Sequence, residues 1–264
     1  MAGGELIKVK TDEAVAVVTI SRPPENKVNV LTAQVMRELD QTMDELAKDS
    51  VVKVVLITGE GPYTFVAGAD IKEIAKIETS SEAVEVVRKG QAVFNKIERT
   101  AKPVICAINA VCVGGGLELA MACHMRVASD RAKLGQPEVL LGIIPGFGGT
   151  QRLSRICGPA KAMELLMTGD QISAKEALEI GLVNQIYPDG RLLKEAVGLA
   201  KKIAARPQTA IRLIQRAVLE GSEKSLEEGL KLEAELFGKV CETQDKHEGV
   251  RAFLEKRQAK FQDR

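Results

Sequence analysis

Apolar residues recur along this chain in two rhythms. Between Ala14 and Ser21 the run AVAVVTIS is β-branched and apolar, which predicts a strand, and Arg22-Pro23-Pro24-Glu25-Asn26 breaks it. Thr32 then stands where it can cap a helix running to about Ala47, with Leu39, Met43 and Leu46 on one face. Val51 to Thr58 is almost continuously apolar, the pattern of a strand covered on both faces, and Pro103 to Asn109 repeats it. Between them a glycine-rich loop from Gly59 to Gly68 leads through Ala69-Asp70-Ile71 into a charged, amphipathic helical region ending near Glu98. A short helix over Gly114 to Cys123, a strand over Arg126 to Ser129 and a shorter one at Leu134-Gly135 follow. Strand and helix alternate throughout this half, which predicts an α/β core.

From Gly158 onward the helical rhythm takes over. Helices are expected near 159–168, 174–180, 190–204, 208–220, 223–240 and from about 243 to 260, and only Leu182 to Tyr187 reads as extended. No linker or low-complexity segment separates the halves. The division is therefore a soft one, with an α/β core over residues 1–200 and a helical region over 201–264. Leu226, Leu230, Phe237 and Phe253 lie on apolar stripes of the tail, which serve either ordinary packing or a partner surface.

Composition narrows the function. With 45% apolar residues in 264, the chain can fill a sizeable core. Lys and Arg total 37 against 36 Asp and Glu, so no global basic field draws nucleic acid or anionic membrane. The opening Met1-Ala2-Gly3-Gly4-Glu5 lacks the features of a signal peptide, and no stretch approaches the roughly 18 apolar residues of a membrane span. Five cysteines (106, 112, 123, 157 and 241) form no CxxC pair and read as reduced thiols of a cytoplasmic protein, without a disulfide framework or metal site. With two histidines and no GxSxG, a hydrolase triad is poorly supported.

The chemistry concentrates between Val113 and Thr150. Gly114-Gly115-Gly116 opens a helix, so the first helical N–H groups stay free and the helix dipole favours an anion there. Tight helix–strand packing would use the same residues. Glu118, in the first turn, is either a dipole partner or a catalytic acid; Glu138, after Pro137, is either a turn former or a second one. Two carboxyl groups in one dry pocket cannot both ionise cheaply, which splits them into acid and base. The turn Val66-Ala67-Gly68-Ala69-Asp70 offers a second backbone donor, the Ala69 N–H.

Four ordered stretches then carry a resemblance: FVAGADIKEI (65–74), VGGGLELAMAC (113–123), LGQPEVLLGIIPGFGGTQRL (134–153) and SAKEALEIGLVNQI (173–186). Together the chain resembles the crotonase family, and most of all its 2-enoyl-CoA hydratases. The resemblance implies a spiral of ββα units with a C-terminal helical region that builds trimers or hexamers. It implies that Ala69 and Gly115 donate to a thioester oxygen, that Glu118 and Glu138 are the acid–base pair, and that Gly146 helps hold the attacking water. Ala67 and Lys72 would bind coenzyme A, and Lys256 would reach a neighbour's nucleotide end. Coenzyme A would be part of the substrate, with no separate cofactor and no metal. Where relatives commonly have Asn-Gly-x-Ala, this chain has Asn109-Ala110-Val111-Cys112; where they have Cys-Asp, it has Cys123-His124. His124 is expected to cap its helix C-terminus as an imidazolium. Hydration, Δ3,Δ2-isomerisation and dienoyl-CoA hydration remain open at this point, as does a non-catalytic CoA-ester or RNA-binding scaffold using Lys201, Lys202, Arg206 and Arg212.

Overall fold

The computed structural model describes residues 4–22 and 28–263. The break expected at Pro23–Asn26 lies outside the described residues. Strands β1 (Ile7–Asp12) and β2 (Val15–Ile20) form an antiparallel pair, and α1 (Ala33–Lys48) follows. Thr32 caps α1 as expected, accepting from Val35 N–H, and Leu39, Met43 and Leu46 are buried. Then come β3 (Val54–Gly59), β4 (Thr64–Val66), α2 (Ile71–Ile74) and α3 (Ser80–Arg99). Next are β5 (Val104–Ile108), β6 (Val111–Val113), α4 (Gly115–Ala122), β7 (Met125–Ser129) and β8 (Lys133–Gly135). A 3-10 turn over Pro137–Leu141 leads to α5 (Gly149–Cys157), α6 (Pro159–Thr168), β9 (Gln171–Ser173), α7 (Ala174–Glu179) and β10 (Gln185–Tyr187). Four helices close the chain: α8 (Leu192–Ala204), α9 (Gln208–Gly221), α10 (Leu226–Cys241) and α11 (Gln244–Leu254).

The α/β spiral is visible in the pairing. Strands β3, β5 and β7 lie parallel in a six-stranded sheet of order β1-β2-β3-β5-β7-β10, while their partners β4, β6 and β8 lie parallel in a second sheet of order β4-β6-β8-β9. Each β–β step thus climbs from one sheet to the other before a helix returns the chain. One face of the large sheet packs on α8 through Leu192, Ala196 and Ala200, and the other on the main core with α1, α3 and α4. Burial on both faces explains the unbroken apolar runs of β3 and β5. Helix α8 spans residue 200 and belongs by packing with the sheet, so the peripheral helices begin at α9.

Several sequence expectations need correcting. The helical region after Ile71 is two helices, because Thr79 starts α3 afresh with a capping box to Glu82. Extended structure within 182–187 is confined to β10, and β9 adds a further strand. Helix α5 has no counterpart among the expected elements; it begins at Gly149, with Gly148 at φ 112° forming its cap. Strands β1, β4 and β6 were also not anticipated. β1 alternates Lys with Ile and Val as suits an edge, and the others have only three residues.

Candidate active site

Three successive turns of the spiral end at one place. Strand β4 runs into Ala69, β6 into the N-terminus of α4, and β8 into the 3-10 turn that carries Glu138. Because β4, β6 and β8 are neighbouring parallel strands, their carboxyl ends converge, as in other α/β ligand sites.

The first turn supplies backbone donors. Leu31 N–H donates to Gly68 C=O (2.8 Å) and Leu31 C=O accepts from Asp70 N–H (3.2 Å), bridging over Ala69. Ala69 N–H is thereby left without a partner among the described residues. Gly114, at φ 55°, turns the chain into α4 and leaves Gly115 N–H beside it; a methyl group on Gly115 would sit 3.3 Å from the Ala69 nitrogen. Glycine is also required at Gly116, where a β-carbon would come within 2.1 Å of Val66 C=O, so α4 can lie against β4 only with no side chain there. The two free N–H groups, one from a loop and one from a helix N-terminus, suit a developing oxyanion.

The second and third turns supply the carboxyl groups. Glu118 is 2% exposed on a helix whose eight residues are all buried, and its Oε1 accepts from the Gly149 N–H at 2.7 Å, the first residue of α5. Burial is the main cause that raises the Glu118 pKa to about 7; the Gly149 N–H and a weaker one from Phe147 pull it down, and Glu138 pushes it up. Glu138 is half-buried, and burial raises its pKa too. The two carboxyl groups repel one another when both are ionised, so they titrate as a pair. Glu138 touches the α4 entrance, since its Oε1 lies 3.1 Å from where a Gly114 β-carbon would stand. The pair therefore holds a proton near neutral pH, with a carboxylate beside a carboxylic acid.

Gln136 had no signal in the sequence beyond its place before Pro137-Glu138. It is fully buried. In the amide orientation that satisfies both its ends, its nitrogen donates to Glu138 Oε1 (2.9 Å) and Oε2 (3.0 Å). The loop before α5 is held from outside the site. Gly146 C=O accepts from Gln91 Nε2 at 2.8 Å, and Gly146 N–H has no partner among the described residues. Lys72 lies on α2 at a polar cleft of about 350 Å³ that also takes in Thr32, Arg37, Asp70, Glu73 and Lys76. Ala67 donates its N–H to Asn29 C=O at 2.8 Å and flanks the loop of Ala69. Lys256 follows α11 at φ 53°, and among the described residues nothing joins it to Lys72 or to the carboxyl groups. No group of three or more His, Cys, Asp or Glu that could hold a metal occurs among the described residues.

His124 departs from expectation. Its Nδ1 accepts from Val104 N–H (2.9 Å), so the ring is neutral, and its Nε2 faces Glu98 C=O (3.0 Å) and the Gln215 amide (3.1 Å). Burial pushes its pKa down. The ring caps the end of α3, not α4, and ties α9 to the core. The cysteines are all free; 106, 112 and 123 are buried, where desolvation raises the thiol pKa of Cys106 and Cys112.

The arrangement sets two carboxyl groups, whose pKa values burial raises, beside two unpartnered amides on a ββα spiral. The chain belongs to the enoyl-CoA hydratase/isomerase family, whose model matches residues 10–264. It is 45% identical to a probable enoyl-CoA hydratase of Bacillus subtilis, over 97% of this chain and 98% of the relative. It is 44% identical to a crotonyl-CoA hydratase of Syntrophomonas wolfei, over 97% and 98% of the two chains. A short-chain-enoyl-CoA hydratase of Clostridium acetobutylicum is 43% identical over 92% of each. Among solved structures, an enoyl-CoA hydratase from Bacillus anthracis superposes with a TM-score of 0.93 at 37% identity, covering 98% of this chain and all of that one.

Proposed function

We propose that this chain is an enoyl-CoA hydratase, a hydro-lyase that adds water reversibly and syn across the 2,3-double bond of a 2-enoyl-CoA to give a 3-hydroxyacyl-CoA. The observation that carries the reading is the meeting of two carboxyl groups whose pKa values burial raises, Glu118 and Glu138, with the unpartnered amides of Ala69 and Gly115. The amides take the thioester oxygen and stabilise the enolate-like anion, each donor being worth about 3 kcal/mol of barrier. Glu118, as carboxylate, accepts a proton from water as the water oxygen bonds to C3, and Glu138, as acid, delivers a proton to C2. A proton then passes from Glu118 back to Glu138, which restores the pair for the next turnover. Gly146 N–H is free to hold the attacking water. The thioester itself acidifies the α-position, and coenzyme A enters and leaves with the substrate. Ala67 flanks its path, and the cleft at Lys72, with Arg37 and Lys76 beside it, suits its phosphates.

Hydration is favoured over isomerisation because both acids are present and both are engaged, Glu118 by Gly149 and Glu138 by Gln136. An isomerase, moving one proton without water, needs only one. An RNA-binding scaffold gains little, since Lys201 is already paired with Asp12 (3.1 Å) and Glu13 (3.0 Å). No helix among the described residues is long and apolar enough to cross a membrane, in keeping with the cytoplasmic location we assign. The working form is a homotrimer or a pair of trimers. In the single chain Leu226 is 79%, Leu230 54%, Phe237 67% and Phe253 82% exposed, and Lys256 lies on the same tail. A panel of enoyl-CoA and dienoyl-CoA esters from four carbons upward, followed by loss of the conjugated-thioester absorbance, tests the reading. Turnover of 2-enoyl esters is expected; turnover of 3-enoyl esters alone would replace hydratase by isomerase.

A further inference from the structure

We propose that Gln91 of α3 is a positioning residue for the reaction: it holds the Gly146–Phe147 peptide so that its N–H faces Glu118. This rests on the hydratase reading of the site. The Gln91 Nε2 donates to Gly146 C=O at 2.8 Å, across 55 residues of sequence. The next carbonyl, that of Phe147, accepts from Arg152 Nη1 at 3.0 Å. Arg152 is anchored in turn by Glu98 (2.8 Å) and Asn95 (2.7 Å), both on α3. Two consecutive carbonyls of the loop are thus pinned outward by α3 and α5. A trans peptide points its N–H opposite to its C=O, so pinning the Gly146 carbonyl turns the Phe147 N–H inward. There it lies near Glu118, whose Oε1 takes the Gly149 N–H two residues on at 2.7 Å.

Packing fixes the same register. Phe147 seats its ring where α3 has Gly90, edge-on to Phe94 with centroids 5.7 Å apart, and Val87 closes on Gly146. Packing alone, however, does not choose between the two orientations of the peptide plane, because a ring and an isopropyl group contact either. The Gln91 amide adds weight to one of them, since its N–H is bonded to the Gly146 carbonyl. It also polarises the peptide, strengthening the N–H that stabilises the Glu118 carboxylate. Gln91 touches no reacting atom and acts through Glu118 and the water on Gly146.

The test uses Gln91→Leu and Gln91→Met, which remove the donor and keep an apolar stem of similar size on a half-buried helix face. Two readouts are taken on the full-length protein. Titration of Glu118, followed by carbon NMR of side-chain-labelled glutamate and assigned with Glu118→Gln, should move upward by roughly half a pH unit in both variants, about what a weakened hydrogen bond to a carboxylate costs. With crotonyl-CoA, kcat should fall about tenfold with KM within about twofold, short of the ~10²-fold that a 1 Å misplacement can cost. The acidic limb of the kcat/KM profile should move up with the titration. A residue that only supports the fold would lower Tm and leave the limb where it was. Variants whose Glu118 titration superposes on the parent's overturn the proposal, and this outcome is readable even if the parent does not hydrate enoyl-CoA, because the NMR arm needs no turnover.

Discussion

Helices α4 and α10 are both rich in apolar residues, yet they live in opposite surroundings. All eight residues of α4 are buried, glutamate included, whereas of the sixteen in α10 only Leu236 is. On α4 the burial is useful: it removes water from Glu118, raises its pKa to about 7 and leaves the helix N-terminus free for an anion. On α10 the exposure has no local purpose. Leu226, Leu230 and Phe237 stay open even though α10 packs on α9, whose Ile214 and Val218 are themselves 58% and 63% exposed. A contiguous apolar face of that kind is expected to be covered by another molecule. One helix encloses its polar group, and the other leaves its apolar side chains open.

The sharpest way to break the α4 half of this comparison is to remove the acids. Glu118→Gln and Glu138→Gln keep shape and most hydrogen bonds, so folding should persist while kcat for hydration falls ~10²–10⁴-fold, the range of general acid–base catalysis. Steady-state kinetics on purified, folded variants decide it. Hydration within a few-fold of the parent would remove that carboxyl group from the mechanism. If Glu118→Gln lost hydration but kept 3-enoyl to 2-enoyl isomerisation, the two activities would be separated onto different carboxyl groups.

The α10 half predicts a smaller effect, on assembly. Leu230→Asp with Phe237→Asp changes two exposed side chains that contribute nothing to the core of one chain. Their charges would be buried without partners at a subunit contact, weakening association by roughly 10²–10³-fold, as for a pair of interface hot spots. Light scattering at micromolar concentration should read a trimer or hexamer for the parent and smaller species for the variant. A parent that runs as a monomer defeats the assembly. Removal of residues from about 243 onward should lower affinity for coenzyme A as well, if Lys256 serves a neighbour's site.

The same contrast shows what was legible beforehand. The residues themselves single out the triple glycine, Glu118, Glu138 and the Ala69 turn as candidates, because glycines, a helix start and acids lie close together in the chain, whereas the roles given to Ala69, Gly115 and Gly146 come from the resemblance. Long elements such as α1 and β3 announced themselves by periodicity and cap. Strands β4, β6 and β9 did not, because three residues carry no period, and their existence depends on pairing with distant segments. Gln91 was invisible for a related reason. It lies 55 residues from the loop it holds, on a helix face where a polar residue looks like ordinary surface. His124 was misread because its partners, Val104, Glu98 and Gln215, come from three elements other than the helix it follows.

The smallest effect concerns stability, and it reads what the fold as a whole, burial foremost, does to the Glu118 proton. The unfolded chain releases this proton near the ordinary glutamate value of 4.5, whereas the folded chain keeps it to about 7. Between those values the native state binds more protons than the unfolded state, so stability falls as pH rises through the window and is level above it. A shift of this size, about 2.5 units at about 1.4 kcal/mol per unit, corresponds to roughly 3.5 kcal/mol. Glu118→Gln does not titrate, and the glutamine carbonyl can still accept from Gly149 N–H. The variant should therefore match the parent near pH 4.5 and exceed it at pH 8, by most of that amount. Urea unfolding at the two pH values checks it. Parallel stability curves for parent and variant across the window would mean that the Glu118 proton is shed as easily in the fold as out of it, and the acid–base split proposed for the pair would lose its physical basis.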